Sequence, residues 1–239
     1  MEKIKLQKYF TDCGVLSRRA AEKEIAEGQV TVNGAVALLG DRIDPECDVV
    51  CYGGKTIKKQ TDELVCIMLN KPAGFVTTLS DEKGRRTVAE LTADLGLRVY
   101  PVGRLDMNSD GLLLLTNDGA LANRLTHPRH EIPKIYTVTV RGEVDSAALR
   151  ALRSPMVIDG YEILPVKVDI AEVGDNYTVL RMELYEGRNR QIRKMCEQVG
   201  LRIRRLTRVA IGKLMLGELP SGKWRRLTEK EIDYLKGAK

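Results

Sequence analysis

The chain has 239 residues, 43% of them hydrophobic and 30% charged, and its formal net charge is +6. This composition excludes an intrinsically disordered chain, because it supplies enough apolar side chains to form a buried core. Apolar stretches such as Leu64–Leu69 are far shorter than the roughly 20 residues that a membrane-spanning helix needs, so we expect no membrane partner. The first residues lack the apolar segment of a secretory signal, which predicts a cytoplasmic protein.

Cysteine and histidine are too few and too scattered to suggest a metal centre. The five cysteines are an odd number, and Cys47 and Cys51 have no second Cys or His pair at zinc-ligand spacing. His127 and His130 are the only histidines, and we assign neither a catalytic role. We therefore expect reduced thiols and no metal site.

The positive charge is concentrated in one segment, Tyr185–Lys213. This segment has nine basic residues and two acidic ones, so the rest of the chain carries a net charge of −1. The nine are Arg188, Arg190, Arg193, Lys194, Arg202, Arg204, Arg205, Arg208 and Lys213. A solvated surface does not require such clustering, whereas a groove that follows nucleic-acid phosphates does. The pattern favours a nucleic-acid partner.

The first sixty residues predict two short helices followed by a hairpin. One helix spans Leu6–Cys13, and a second begins after Ser17, a good N-cap, and ends before Gly28. Val30–Val32 alternates as a strand does, and Asn33-Gly34 is a strong signal for a tight hairpin turn.

This stretch resembles the S4 RNA-binding domain over about residues 3–50. The matching residues are Leu6-Gln7-Lys8, Gly14, Ser17-Arg18-Arg19-Ala20-Ala21, Gly28 and Val30-x-Val32-Asn33-Gly34. The resemblance implies RNA binding, for which we assign Arg18, Arg19 and Lys23, and it implies nothing about catalysis. Positive charge in the first turn of a helix opposes the helix dipole, which also indicates an anionic partner for Arg18 and Arg19.

A polar segment, Lys55–Glu63, is the predicted linker to a larger α+β domain. The predicted strands are 64–69, 99–102, 112–116, 134–141, 161–170 and 176–184. Predicted helices cover 87–95, opened by a Thr87–Glu90 capping box, and 118–126. A last helix is capped by Asn189, presents Ile192, Met195, Cys196 and Val199 on its apolar face, and ends at Gly200.

Asp106 lies in a turn-rich loop, and spacing alone favours a turn-forming aspartate there. The surrounding stretch, Gly103-Arg104-Leu105-Asp106-x-x-Ser109-x-Gly111-Leu112-Leu113, resembles the catalytic-aspartate motif of pseudouridine synthases. Three further stretches occur in that family's order: Pro133–Tyr136, Glu186–Met195 and Arg205-Leu206-x-Arg208-Val209-x-Ile211-Gly212. Gly103 and the S4-like module point to the branch that contains RsuA, RluB, RluE and RluF, and Lys71-Pro72-x-Gly74 and Asn117-Asp118-Gly119 favour the RluB type within it.

The resemblance implies an S4-like domain over residues 1–60. It also implies a catalytic domain over residues 61–239, built on a mixed, mainly antiparallel sheet with flanking helices. Asp106 is then the catalytic nucleophile, Arg193 holds it anionic and oriented, and Tyr136 stacks on the target base. From the pattern alone, Arg193 could equally lie on a solvated helix face, and Tyr136 could be an ordinary core tyrosine.

The remaining substrate-binding residues implied by the resemblance are Arg104, Leu206, Arg188, Arg190 and Lys194. Isomerising uridine to pseudouridine consumes no redox equivalent, phosphate or water, so neither a cofactor nor a metal is expected. We expect the enzyme to be a monomer. Its expected partner is ribosomal RNA, either 23S rRNA or a pre-ribosomal particle. Two alternatives stay open: an RsuA-type enzyme acting on 16S rRNA, and a non-catalytic S4-type ribosome-assembly factor.

Overall fold

The computed structural model describes residues 3–59, 63–127 and 132–237. The chain divides into two compact units, 1–64 and 65–239. The predicted boundary at 60/61 and His130 lie outside the described residues. Within the described part of the chain, no helix is long and apolar enough to cross a membrane.

The first unit contains two helices and a small sheet. In chain order its elements are β1 (Ile4–Lys5), α1 (Leu6–Asp12), α2 (Arg18–Ala26), β2 (Val30–Val32), β3 (Ala35–Val36), β4 (Arg42–Ile43), β5 (Val50–Tyr52) and β6 (Lys55–Thr56). The predicted cap is confirmed, because Ser17 Oγ accepts a hydrogen bond from the N–H of Ala20. The predicted hairpin turn is confirmed as well: Asn33 and Gly34 have φ of 52° and 86°.

The predicted linker begins too early. Lys55 and Thr56 form strand β6, which pairs with β5 in a four-stranded sheet of order β3-β2-β5-β6. Ile57 is buried in the core of this unit, and its N–H donates to the carbonyl of Val50. Polar composition suggested a linker here, but the backbone of Lys55 and Thr56 completes a sheet, and the side chain of Ile57 completes its core.

The second unit is built on one large sheet with helices beside it. Its strands are β7 (Cys66–Lys71), β8 (Tyr100–Val102), β9 (Asp110–Thr116), β10 (Lys134–Arg141), β11 (Val157–Ile158), β12 (Tyr161–Glu162), β13 (Lys167–Gly174), β14 (Tyr177–Leu184), β15 (Ile203–Ile211), β16 (Leu214–Met215) and β17 (Trp224–Arg226). Its α-helices are α3 (Gly119–Thr126), α4 (Ser146–Arg153), α5 (Gln191–Gln198) and α6 (Glu229–Gly237), and residues Glu90–Leu95 form a 3₁₀ helix.

The large sheet has nine strands, with the main order β13-β14-β10-β15-β9-β7-β17. Among the described residues its only parallel pairing joins β9 to β15. The predicted α+β class with a mixed, mainly antiparallel sheet is therefore confirmed.

Apolar side chains cover both faces of this sheet. On one face, a cluster around Val138, Met182 and Ile192 lies beside a second cluster around Leu69 and Leu113. The half-buried ring of Tyr136 packs against both clusters, so it marks the seam between them. Alternate residues of β7 and β9 form a third cluster on the opposite face.

Two predicted elements differ from the structure. The helix expected over 87–95 is a 3₁₀ helix that starts at Glu90, although the Glu90 carboxylate does accept the N–H of Thr87 at 2.6 Å, as one arm of a capping box does. The strand expected over 161–170 is broken into β12 and β13, because Ile163 and Val166 both turn into the core. Helices α4 and α6 were not predicted.

Candidate active site

Hydrogen bonds from the segment after β7 hold the backbone on both sides of Asp106. The Thr77 hydroxyl donates to the carbonyl of Leu105 at 2.7 Å, and the N–H of Gly74 donates to the carbonyl of Met107 at 2.7 Å. The carboxylate-bearing residue is thus fixed by its neighbours, which leaves its own side chain available to a substrate.

Two cationic side chains hold the loop just beyond Asp106. Lys71, at the end of β7, is completely buried, and its Nζ donates to the carbonyl of Ser109 at 2.8 Å. From α5, one Nη atom of Arg193 donates to the carbonyl of Asn108 at 2.7 Å and to the Ser109 hydroxyl at 3.1 Å. Burial lowers the pKa of Lys71 to about 8, while the negative charges of Asp110 and Asp106 act in the opposite direction.

Gly111 begins the buried part of β9 at a point where two backbones nearly touch. Its φ is +103°, and a Cβ atom there would lie 2.3 Å from the carbonyl oxygen of Arg208 on β15. Only glycine fits both the φ angle and the space. This close approach brings β15 beside the Asp106 loop.

Helix α5 begins differently from the prediction. Its N-cap is Arg190, not Asn189, and Arg190 has φ of 52° and makes no side-chain capping bond. Asparagine is the usual cap and tolerates positive φ, but here the strained position falls on an arginine. The buried amide of Gln191 stabilises the preceding turn, because it accepts the N–H of Arg188 and donates to Glu186.

The start of α5 brings two guanidinium groups to Asp106. Nε of Arg193 lies 3.6 Å from Oδ2 of Asp106, and an Nη atom of Arg190 lies 3.8 Å from the same oxygen. The Asp106 side chain is 31% exposed, so it is sheltered by its neighbours yet open to solvent. Two cations beside the same oxygen favour one orientation of the carboxylate.

Asp106 opens onto a cleft of about 90 Å³. Its polar lining comprises Arg104, Asp106, Ser109, Glu186, Arg188, Arg190 and Gln191. The apolar lining comprises Leu105, Tyr136, Leu184, Ile192 and Leu206. A cleft lined by an aromatic ring and aliphatic side chains together with a carboxylate and several arginines suits a flat polar group joined to an anionic chain.

Six of the eight residues predicted in this domain line the cleft: Asp106, Tyr136, Arg104, Leu206, Arg188 and Arg190. Arg193 is not part of the lining, but its Nε lies 3.6 Å from Oδ2 of Asp106. Lys194 is not part of the lining, because it forms a short ion pair with Asp159.

The basic segment is less available to a ligand than its charge count suggests. Arg208 is buried, and its Nε donates to the carbonyl of Leu112 at 2.7 Å. Arg205 pairs with Asp110 at 2.8 Å. Part of the surplus charge therefore stabilises the fold around the Asp106 loop.

The other predicted RNA-binding residues, Arg18, Arg19 and Lys23, are exposed on α2 of the first unit. Arg18 also lines a cleft of about 490 Å³ in that unit, whose other charged residues are Lys3, Lys5, Lys8, Arg42 and Glu22. The first four of these were not predicted to bind RNA. Lys23 is 3.7 Å from Glu27.

Sequence reasoning gave no role to Lys71 or Gln191. Both lie inside stretches that carried the resemblance, yet neither was expected to be buried. A buried charged or amide side chain next to a motif loop is a signal only once the tertiary contacts are known. Among the described residues, no group of three or more His, Cys, Asp or Glu side chains is placed to hold a metal ion.

Comparison with known proteins places this geometry in a family. The family model described as RNA pseudouridylate synthase matches residues 65–198. A Bacillus subtilis protein named ribosomal large subunit pseudouridine synthase B is 37% identical over 97% of this chain and 95% of its own length. A Haemophilus influenzae protein of the same name is 43% identical over 97% of this chain and 67% of its own length.

A solved structure described as pseudouridylate synthase has a TM-score of 0.70 and 31% identity, and the match covers 97% of this chain and 99% of that one. The chain belongs to the RNA pseudouridylate synthase family. It is therefore an isomerase that acts on RNA, as the sequence motifs predicted.

Proposed function

We propose that this enzyme converts a uridine of 23S ribosomal RNA into pseudouridine in the cytoplasm, with Asp106 as the catalytic carboxylate. The observation that carries the proposal is the Asp106 carboxylate, which has Arg190 and Arg193 within 4 Å and lines one cleft with Tyr136 and Leu206. The choice of 23S rRNA is supported by relatives named ribosomal large subunit pseudouridine synthase B.

The reaction moves one bond of the uridine and leaves its composition unchanged. The N1–C1′ bond breaks, the uracil turns within the cleft, and C5 bonds to C1′. C5 then loses its hydrogen as a proton, and N1 gains one. Asp106 assists either by attacking C1′ or C6 or by removing a ribose proton, and each route requires the carboxylate anion.

Tyr136 and Leu206 form the surface against which the uracil ring packs. The target base must leave its stack to reach Asp106, and an aromatic ring offers a stacking surface that partly replaces the lost base neighbours. Arg104, which is exposed at the cleft, contacts the backbone beside the extruded nucleotide.

The first unit binds a structured element of the same RNA as an S4-like module. Arg18, Arg19 and Lys23 contact phosphates, and the cationic cleft that includes Arg18 supports this role. The unit's basic and acidic residues nearly balance, so its affinity depends on where a few cations are placed.

Mapping of pseudouridine in ribosomal RNA tests the proposal. We expect one 23S site to be modified in cells with the gene and unmodified in cells without it. The purified enzyme should modify the same site in a 23S transcript. A missing site in 16S rRNA would favour the RsuA-type alternative, and unchanged rRNA would favour a non-catalytic assembly factor.

A further inference from the structure

A small hairpin beside the cleft is separate from the large sheet. It consists of β11 and β12, joined by Asp159 and Gly160, which have φ of 52° and 76°. Two positive φ values make a tight turn whose twist suits a two-stranded ribbon. The hairpin therefore has a defined shape although it has only two residues in each strand.

The hairpin is fixed to the helix that supplies Arg193. Ile158 is buried in the same apolar cluster as Ile192 and Met195 of α5. Two polar contacts reinforce this packing: Asp159 pairs with Lys194, and Gln198 donates to the carbonyl of Val157 at 2.9 Å. A residue carried by the hairpin therefore keeps a constant position relative to the start of α5.

Tyr161 is the aromatic residue that the hairpin presents, and it is 43% exposed. The guanidinium carbon of Arg188 lies 3.1 Å from the centre of its ring. Arg188 also lines the cleft that contains Asp106, so the ring holds a cation at the rim of the active site.

Glu186 also contacts Arg188 and links it to the chain after the hairpin. Its carboxylate lies 3.4 Å from Nε of Arg188 and also accepts the N–H of Leu164, just after the hairpin, at 2.9 Å. Among the described residues, the Nη atoms of Arg188 make no hydrogen bond. A guanidinium keeps such N–H donors in its own plane, so a guanidinium held over a ring can still bind a phosphate through two parallel hydrogen bonds.

We infer that Tyr161 is a positioning residue that orients Arg188 to bind a backbone phosphate of the RNA strand entering the cleft. The inference rests on the proposed function and adds a second backbone-binding point at the cleft beyond Arg104. Tyr161 acts through Arg188 and does not touch the reacting atoms.

Steady-state kinetics on a tritium-labelled 23S rRNA transcript tests the inference with Tyr161→Ala, Tyr161→Phe, Arg188→Ala and the double variant. Tyr161→Ala should raise KM three- to tenfold and leave kcat within twofold of the wild type. Tyr161→Phe keeps the ring and should behave as the wild type. The double variant should be no worse than Arg188→Ala, because the ring acts only through the arginine.

The salt dependence of transcript binding gives an independent readout. Losing one phosphate contact should lower the slope of log Kd against log salt concentration by about 0.7–0.9 in Arg188→Ala. Tyr161→Ala should lower the slope to a similar extent, although tyrosine carries no charge. Val157→Ala, on the same hairpin, and Arg181→Ala, an exposed arginine on β14, serve as controls and should change neither KM nor the slope.

Unchanged KM and slope in Tyr161→Ala would overturn the inference, as would additive losses in the double variant or a fall in kcat alone. Binding does not require turnover. Wild-type protein that binds the transcript without releasing tritium would contradict the proposed function, while the salt slopes would still decide the role of Tyr161.

Discussion

Nε of Arg193 lies 3.6 Å from Oδ2 of Asp106, and within the described residues that Nε atom has no hydrogen-bond partner. The other end of the same guanidinium is committed to the loop, through the carbonyl of Asn108 and the hydroxyl of Ser109. One side chain thus fixes the Asp106 loop and places a positive charge beside the carboxylate.

Replacing Arg193 should therefore affect turnover more than RNA binding. Arg193→Met removes the donor to the Asn108 carbonyl and one of the two cations beside the carboxylate, and we expect kcat to fall by about 10²–10³. Arg193→Lys keeps the positive charge but lacks the two-pronged guanidinium, so it should recover only part of the lost kcat. Single-turnover tritium release separates kcat from binding. A fall in affinity with unchanged turnover would contradict this role.

Gly111→Ala should destabilise the catalytic domain severely. The new methyl group would meet the Arg208 carbonyl at 2.3 Å, so β9 and β15 would have to separate. We expect a loss of at least about 3 kcal/mol in the free energy of unfolding, measured by urea denaturation.

Gly103→Ala is the matched control, since Gly103 also has positive φ but its Cβ would meet no atom within 4 Å. It should cost only about 1 kcal/mol. Equal losses in the two variants would show that backbone strain, and not the strand contact, limits position 111.

Arg190→Gly should separate stability from activity. Glycine relieves the strain of φ 52°, which offsets its greater freedom in the unfolded chain, so stability should stay within about 1 kcal/mol of the wild type. The lost cation beside Asp106 should reduce kcat/KM at least tenfold. Thermal unfolding and steady-state kinetics on the same preparation test both parts. A large drop in Tm would mean that the arginine side chain stabilises the helix start.

The lowered pKa of Lys71 predicts that the stability of the protein changes at alkaline pH. Burial lowers this pKa to about 8, whereas lysine in the unfolded chain titrates near 10.5. The folded protein therefore binds this proton less tightly than the unfolded chain. Between about pH 8 and pH 10.5 the free energy of unfolding of the wild type should rise relative to that of Lys71→Met, and below pH 8 the difference should be constant.

Urea denaturation of both proteins at several pH values measures this difference. A difference that shrinks as pH rises would contradict it. Lys71→Met should also lower kcat at neutral pH, because the carbonyl of Ser109 loses its donor and the Asp106 loop loosens.

Elements with strong local signals could be predicted from the sequence. The cap at Ser17, the Asn33-Gly34 turn and the alternating strand Lys134–Arg141 all occur where expected, because each depends on residues adjacent in the chain. The polar composition of Lys55–Ile57 led to a wrong prediction of a linker, because pairing with strand β5 determines the structure there.

The same distinction holds for the candidate site: local motifs could be predicted from the sequence, and contacts between distant residues could not. The motifs identified Asp106, Tyr136 and Arg193, and the structure brings them together. Charge counting could not reveal that Arg208 is buried or that Lys194 is paired with Asp159. Nor could it show that Lys71 supports the Asp106 loop, since contacts across distant parts of the chain leave no local pattern.

Tritium release from a 5-tritiated-uridine 23S rRNA transcript tests the central claim, that the Asp106 carboxylate carries out the reaction, most directly. The wild type should release tritium, and Asp106→Asn should release none while it binds the transcript within threefold of the wild-type affinity. Asp110→Asn is the matched control: it makes the same chemical change four residues away, at a carboxylate that pairs with Arg205, and should keep most of the activity. Tritium release by Asp106→Asn at a rate near that of the wild type would contradict the account.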